Sequence, residues 1–499
     1  MNRKKKLLLN TICGFFKQII AIICGFILPR YMLLYYGSSV NGLVSSITHF
    51  LSFISLLEMG IGPVIQASLY KPLADKDDEK ISKIIISSEK FFHRIAIIFI
   101  GYIALLIFIF PAYINSDFDF IYTSSLLVII AISTFVEYFF CTTYQLLLNS
   151  DQKSYIGIIM SILTLILNTS ISVVLMINGF SIHLVKMLAA IVFILRPIVM
   201  NFYVNRHYNL NKKIVLKEEP IKQKWNGFSQ HLAYVVCINI DVVVLTVFST
   251  LSNVSVYHIY YLVVSGITNT MTNATSSLMA LFGDMLAKKE YEKLSLIFES
   301  SELMIHNVVT ILFSITAITI VPFVEIYTKG ISDANYCVPV FAVLLVLAYA
   351  MQCLRIPYYL LIKAAGHFKE TQNGAYVSTL LNVVFSIAVV IKYGLPGVAL
   401  GTLIAMIYHT CYFVWYLRKN IVNRSVWYFL KYLSFDILLG YVVYLCSQNF
   451  IYPDLNYISW FFYALKVACA AILVVGCINF WLFKKNIKLC YGLLVHNKK

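Results

Sequence analysis

Apolar residues run along this chain in long blocks, each ended by a short polar stretch. A helix needs roughly 20 apolar residues to cross the hydrocarbon of a bilayer. Blocks of that size fall at 11–36, 40–65, 91–114, 119–147, 155–178, 182–204, 227–250, 256–284, 303–327, 336–362, 374–391, 396–417, 426–447 and 457–482. The pattern therefore predicts an all-α polytopic membrane protein with fourteen transmembrane helices. The stretch "ISLLEMGIGPVIQASLYKPLADKDDEK", Ile54–Lys80, shows how one block ends. Glu58 stands inside the apolar run beside Gly60, Gly62 and Pro63, and a charge cluster follows. The glycines and proline predict a kinked helix end whose freed backbone groups need partners.

The polar stretches set the orientation. Of the 39 Lys and Arg, 29 lie in the N-terminal tail, every second loop and the C-terminal tail, while the alternate loops hold Lys329 and Lys392 alone. Cytoplasmic loops carry the excess of basic residues, so both termini are expected in the cytoplasm. The run that follows "MNRKKKLLLN" is too long for a signal-peptide core and has no small-residue cleavage site, so it is expected to stay as the first membrane helix.

The charged loops also carry a repeat. Leu73–Glu89 reads "LADKDDEKISKIIISSE" and Leu286–Glu302 reads "LAKKEYEKLSLIFESSE", identical at ten of seventeen positions without a gap at an offset of 213. The same offset pairs Gly14–Phe15 with Gly227–Phe228 and Cys24 with Cys237. It maps the first span onto the seventh. Six spans is an even number, so the copies keep the same orientation and form a parallel repeat about an axis along the membrane normal. The expected organisation is a six-helix lobe over 1–205, a cytoplasmic linker over 206–226, a second six-helix lobe over 227–420, and two additional helices with a tail over 421–499. Two such lobes facing a central cavity suit alternating access.

Composition agrees with this picture. The chain has 499 residues, 60% hydrophobic and 12% charged, with a mean hydropathy of +0.80. A soluble chain of this size could not cover its surface with so few polar groups. The net charge of +16 is scattered between apolar runs rather than gathered on one face, which argues against nucleic acid as a partner. The 11 cysteines lie almost entirely in apolar runs with no metal-ligand spacing, so neither a metal site nor a bound cofactor is expected.

"LLEMGIGPVIQASLYKPLADKD" resembles the segment around the second span of bacterial polysaccharide flippases of the O-antigen (Wzx-like) type. These belong to the multidrug/oligosaccharidyl-lipid/polysaccharide exporter superfamily, which includes the MATE-like transporters. Asn239–Tyr261, "NIDVVVLTVFSTLSNVSVYHIYY", resembles the start of their second lobe, and "LMALFGDMLAKKEYEKL" the loop that follows. The resemblance covers most of spans 1–12. It implies export of lipid-linked sugar units for O-antigen, capsule or a related surface polysaccharide across the bacterial cytoplasmic membrane. Its implied partners are a lipid-linked oligosaccharide, membrane lipids and other polysaccharide-assembly proteins. Fourteen spans fit the lipid-linked branch better than drug exporters, which usually have twelve.

An ionisable group at membrane depth usually pairs or lines a wet cavity. Lys17 and Glu58 lie about 9 and 10 Å from the cytoplasmic ends of spans 1 and 2, and are expected to form an ion pair. Glu58 maps by the repeat onto Met271, so this feature belongs to the first lobe alone. Asp436 and Lys466 are expected to pair spans 13 and 14. By resemblance, Asp241 in span 7 occupies a position where the family often carries an acid. Glu58 and Asp241 are the candidates for gating or for proton or sodium coupling; a structural role is the rival reading of each. Lys17, Arg196 and Arg355 are the candidate substrate-binding cations, suited as donors to phosphate. His49, His231, His258 and His409 could relay protons or simply hydrogen-bond within the bundle.

Two other functions compete. A membrane polysaccharide-assembly enzyme needs a sizeable polar loop carrying carboxylates or a nucleotide site, and the outer loops here are very short. There is no GxxxxGK[ST] loop for ATP. No catalytic residue is therefore assigned. A cation-coupled multidrug exporter is the closer rival; the candidate cations tip the balance towards an anionic, pyrophosphate-linked cargo.

Overall fold

A computed structural model describes residues 3–58, 60–114, 118–216, 221 and 228–482. Every regular element among them is helical. They are α1 (Arg3–Ser52), α2 (Ile61–Asp75), α3 (Asp78–Tyr113), α4 (Phe120–Val136), α5 (Thr142–Ser150), α6 (Ser154–Ile177), α7 (Ile182–His207), α8 (Phe228–Phe248) and α9 (Leu251–Thr275). There follow α10 (Ser277–Ala287), α11 (Tyr291–Tyr327), α12 (Pro339–Leu354), α13 (Ile356–Ala364), α14 (Phe368–Tyr393), α15 (Leu395–Asn420), α16 (Val426–Ser447) and α17 (Tyr457–Leu482).

Several of these join into longer crossings. α1 is two helices meeting at Gly37, whose φ of 80° and ψ of 176° break the helical ladder. The second of them continues through a 3₁₀ turn, Phe53–Glu58, into α2. Gly60 stands at the N-cap of α2 with φ 70°, a left-handed conformation that only glycine adopts without a Cβ penalty. This is the kink that the Ile54–Lys80 stretch predicts. α4 and α5 are joined by a π-helical turn, Glu137–Cys141, α9 runs into α10, and α12 into α13 at Arg355. Among the described residues, eleven helices are long and apolar enough to cross a membrane. The first of these, Lys5–Glu58, contains the Gly37 break and so makes two crossings; α8, with its shorter apolar part Val235–Phe248, and the more polar α9 bring the total to fourteen. The chain is a multi-pass membrane protein. Its exterior is as apolar as lipid contact requires, with Ile97, Ile98, Ile100 and Phe108 of α3 all more than half exposed.

The repeat is visible in the backbone. α3 begins at Asp78 and α11 at Tyr291, each just after a lysine held at positive φ: Lys76 at 54° and Lys289 at 60°. The offset is 213 in both comparisons. Asp77 caps α3 by accepting from the Lys80 amide at 3.0 Å, so the charge cluster falls where a new helix must start.

The chain divides into two compact units, Met1–Ser255 and Val256–Lys499. The core of the first holds Leu43, Ile47 and Leu51 of α1, Ile61, Ile65 and Leu69 of α2, and Phe92 and Phe99 of α3. This unit also includes α8, which by sequence opens the second repeat, because α8 packs on α1 and on the 3₁₀ turn. Ser46 of α1 meets Thr246 of α8 at 2.7 Å, and two further polar contacts carry the seam on to the start of α9: Ser39 meets Ser252 at 3.2 Å and Asn41 donates to Ser255 at 2.7 Å. In the second unit α14 and α15 pack closely together, α15 lies on α12, and α16 and α17 dock on α11.

Candidate functional site

The polar groups of the first unit converge where α4, the π turn and α7 meet. A π turn widens the helix by one residue and redirects the side chains around it. Here it sends two consecutive side chains to different partners. Glu137 accepts from Arg196 of α7 at 3.1 Å, and the Tyr138 hydroxyl donates to Glu58 at the end of the 3₁₀ turn. The other arm of the Arg196 guanidinium donates to Gln145 of α5 at 3.0 Å. Gln145 reaches it across Gly157 of α6, where a Cβ would sit 2.3 Å from the amide oxygen, so a larger residue at 157 would have to push the Gln145 amide aside.

Lys17 of α1 is the second cation of this group. Arg196 repels it and Glu137 attracts it. It forms no ion pair among the described residues, so the expected Lys17–Glu58 pair is corrected: Lys17 lies within electrostatic range of the Arg196–Glu137 pair, and Glu58 is held by Tyr138. The physical reason is the helix break. Equal depth in the bilayer does not place two side chains on facing sides, and the 3₁₀ turn rotates Glu58 towards α4.

Two adjoining cavities follow α7 past this cluster. One, of about 180 Å³, is lined by Glu137, Cys141, Arg196 and Pro197. The other, of about 210 Å³, is lined by Thr48, Asn168, Lys186 and Ala190 among others, and the two share Ser133, Thr134 and Phe193. Lys186 is a functional candidate that sequence reasoning missed. Its signal was a lone lysine four residues into an apolar block, which the count of loop charges passed over. Glu137, the acid in the interior of the fourth span, was missed in the same way.

The remaining candidates stand elsewhere. Asp241 is 2% exposed on α8. Two residues earlier on that helix, the Asn239 amide oxygen takes hydrogen bonds from the His49 ring and Ser52, both at 2.7 Å, which ties α8 to α1. His49 is thus a bundle residue with a fixed partner. The side chain of His231 lies outside the described residues. Arg355 belongs to the second unit, at the break between α12 and α13, with its guanidinium 3.8 Å from the Met406 sulfur and over the Phe413 ring at 5.9 Å. Asp436 does not pair with Lys466. It accepts from His306 at 2.5 Å and from Thr310 at 2.6 Å, both on α11, while Lys466 is exposed on α17. An aspartate on α16 faces the lobe on which that helix docks, so the nearest donor across the packing interface wins over the neighbour in sequence. Among the described residues no cluster of His, Cys, Asp and Glu could hold a metal ion.

No family model and no curated protein sequence matches this chain. Solved structures do. The lipid II flippase MurJ, in an inward closed conformation, superposes with a TM-score of 0.70 at 15% identity, over 96% of this chain and 100% of that one. The fold is that of the MATE-like exporters. An inward-facing multidrug resistance MATE family transporter of the MOP superfamily superposes with a TM-score of 0.63 at 13% identity, over 81% of this chain and 96% of that one. The eukaryotic MATE transporter AtDTX14 gives 0.51 at 14%, over 94% and 98%. These neighbours are a flippase and transporters.

Proposed function

We propose that the protein is a flippase that moves lipid-linked, undecaprenyl-pyrophosphate-bound oligosaccharide units from the cytoplasmic to the outer leaflet of the bacterial cytoplasmic membrane. The cargo would serve O-antigen, capsule or a related surface polysaccharide, and both termini would be cytoplasmic. The observation that carries this reading is the cationic cavity wall of the first unit, where Arg196 and Lys186 line adjoining cavities and Lys17 lies within electrostatic range of Arg196. A pyrophosphate cannot cross hydrocarbon bare, since burying unpaired charge costs many kcal/mol. Cationic donors along a cavity replace its water, while the polyprenyl tail stays in lipid. The match to a lipid II flippase over nearly the whole chain supports the same cargo class. Arg355 is a further phosphate donor, and Glu58 and Asp241 the candidate acids for proton or sodium coupling. Membrane lipids and other polysaccharide-assembly proteins would be its partners.

A cation-coupled drug exporter of the same fold would instead want an acidic, aromatic cavity. Deleting the gene separates the two. The flippase reading expects lipid-linked precursor to accumulate at the inner leaflet and surface polysaccharide to be lost, with drug susceptibility unchanged. Normal surface polysaccharide in a strain without a redundant flippase rejects it.

A further inference from the structure

The two cations on the cavity walls of the first unit differ in what surrounds them. Arg196 is already neutralised by Glu137 and held by Gln145. Lys186 is not. Among the described residues its ammonium has neither a carboxylate nor a hydrogen-bond acceptor. Lys186 is half-buried in the cavity wall, and an unpaired ammonium at membrane depth is costly, so such groups are kept where something completes them.

Its neighbours on the same wall point to what that is. Asn168 accepts from Ser172 at 3.4 Å through its amide oxygen, which leaves its amide nitrogen as a donor with no acceptor among the described residues. The Thr134 side chain likewise makes no hydrogen bond there. Ser133 and Thr48 spend their hydroxyl protons on backbone carbonyls of their own helices. The cavity therefore presents three unused donors, one of them charged, with no carboxylate in its lining, and Glu137 of the adjoining cavity is taken by Arg196. A wall rich in donors and poor in acceptors suits an oxyanion. At about 210 Å³ the space is below the roughly 300–1,000 Å³ of pockets that enclose drug-sized ligands. It takes one charged group, not a whole oligosaccharide.

We propose that Lys186, Asn168 and Thr134 form an anion subsite that receives a single carboxylate or phosphate group of the transported molecule, and so selects acidic cargo. This rests on the exporter reading for its cargo, but the subsite itself is a property of the cavity. Lys186 lies ten residues before Arg196 on α7, about 15 Å nearer the end at which the helix begins. An anion bound at Lys186 is thus well separated from the Arg196–Glu137 pair.

The test uses the full chain in lipid nanodiscs, with methyl glucuronide and inorganic pyrophosphate as anionic probes and methyl glucoside as the neutral control. Binding is read by saturation-transfer NMR in the wild type, in Lys186→Met, which keeps the length of the side chain, and in Lys186→Arg, which keeps its charge. The expected result is that Lys186→Met weakens at least one anionic probe by about tenfold or more, Lys186→Arg keeps most of the binding, and the neutral probe is unchanged. Loss of glucuronide alone assigns the subsite to an acidic sugar; loss of pyrophosphate alone assigns it to the lipid linkage. Equal loss of the neutral probe would mean a packing defect and overturn the proposal, as would a wild type that binds no anion better than the glucoside. The deletion strain keeps the two readings apart. Anion binding that depends on Lys186, with normal surface polysaccharide after deletion, would retain the subsite and reject the flippase.

Discussion

The Tyr144 hydroxyl donates to the Glu89 carboxylate at 2.8 Å, and the second unit repeats this pair with Tyr358 and Glu302. Glu89 and Glu302 are equivalent in the repeat, and each tyrosine sits on the short helix after a break, α5 or α13. A basic residue from the segment after the sixth helix of each repeat completes both clusters. Lys212 donates to Tyr144 at 2.9 Å, and Arg424 pairs with Glu302 at 2.6 Å. In both units, then, a polar clasp fastens the chain leaving the sixth helix back onto the third and fourth crossings.

The clasp of the second unit is the more deeply buried, with Glu302 at 0% and Arg424 at 11% side-chain exposure. Arg424 also lies over the rings of Tyr428, at 5.0 Å, and Phe298, at 5.9 Å. Removing one partner of such a pair strands the other, at about 3–5 kcal/mol. Glu302→Ala should therefore lower the thermal unfolding midpoint in detergent by more than the double variant Glu302→Ala with Arg424→Met. Additive losses would show that the two residues are not coupled.

The Ser39 and Ser252 hydroxyls are 3.2 Å apart, in the polar contact that joins α1 to the start of α9. That is within reach of a disulfide if both become cysteine. If rocking of the repeats drives transport, this contact has to open in every cycle. In a background with the native cysteines replaced, Ser39→Cys with Ser252→Cys should cross-link on oxidation and stop export by roughly tenfold or more. A reductant should restore it. Full export by the cross-linked protein would show that the contact stays closed throughout.

Asp151, in the turn between α5 and α6, takes ion pairs from Lys6 at 2.9 Å and Lys153 at 2.7 Å, and a hydrogen bond from Tyr208 at 2.6 Å. Burial pushes its carboxyl up, but the hydrogen bonds from Lys153, Tyr208 and Lys6 outweigh that and hold its pKa below the ordinary 3.8. A lowered native pKa contributes stability above the unfolded value and loses it as pH falls through the native one. Asp151→Asn should thus cost about 1–3 kcal/mol at pH 7. The gap between variant and wild type should persist at pH 5 and narrow only below 3.8. Unfolding midpoints measured from pH 7 to pH 3 check this; a gap that closes by pH 5 would assign the cluster to another group.

The number and ends of the crossings, and the repeat that relates them, were determined by the sequence itself. Both follow from local physics. An apolar block must be helical to satisfy its backbone in lipid, and the Asp77 cap and the left-handed Lys76 and Lys289 are chosen by the residues around each turn. Even the break beside Glu58 could be read from Gly60 and Pro63. Which charges meet was decided only by the tertiary structure. Lys17 and Glu58 share a depth, but the 3₁₀ turn aims Glu58 at Tyr138, and the π turn aims Glu137 at Arg196. Asp436 and Lys466 flank one loop, yet α16 turns its aspartate towards His306 on α11. Depth in the membrane is a one-dimensional property that the chain carries along its length. The direction in which a side chain points depends on the rotation of each helix about its own axis, and that rotation is fixed by packing against helices far away in sequence.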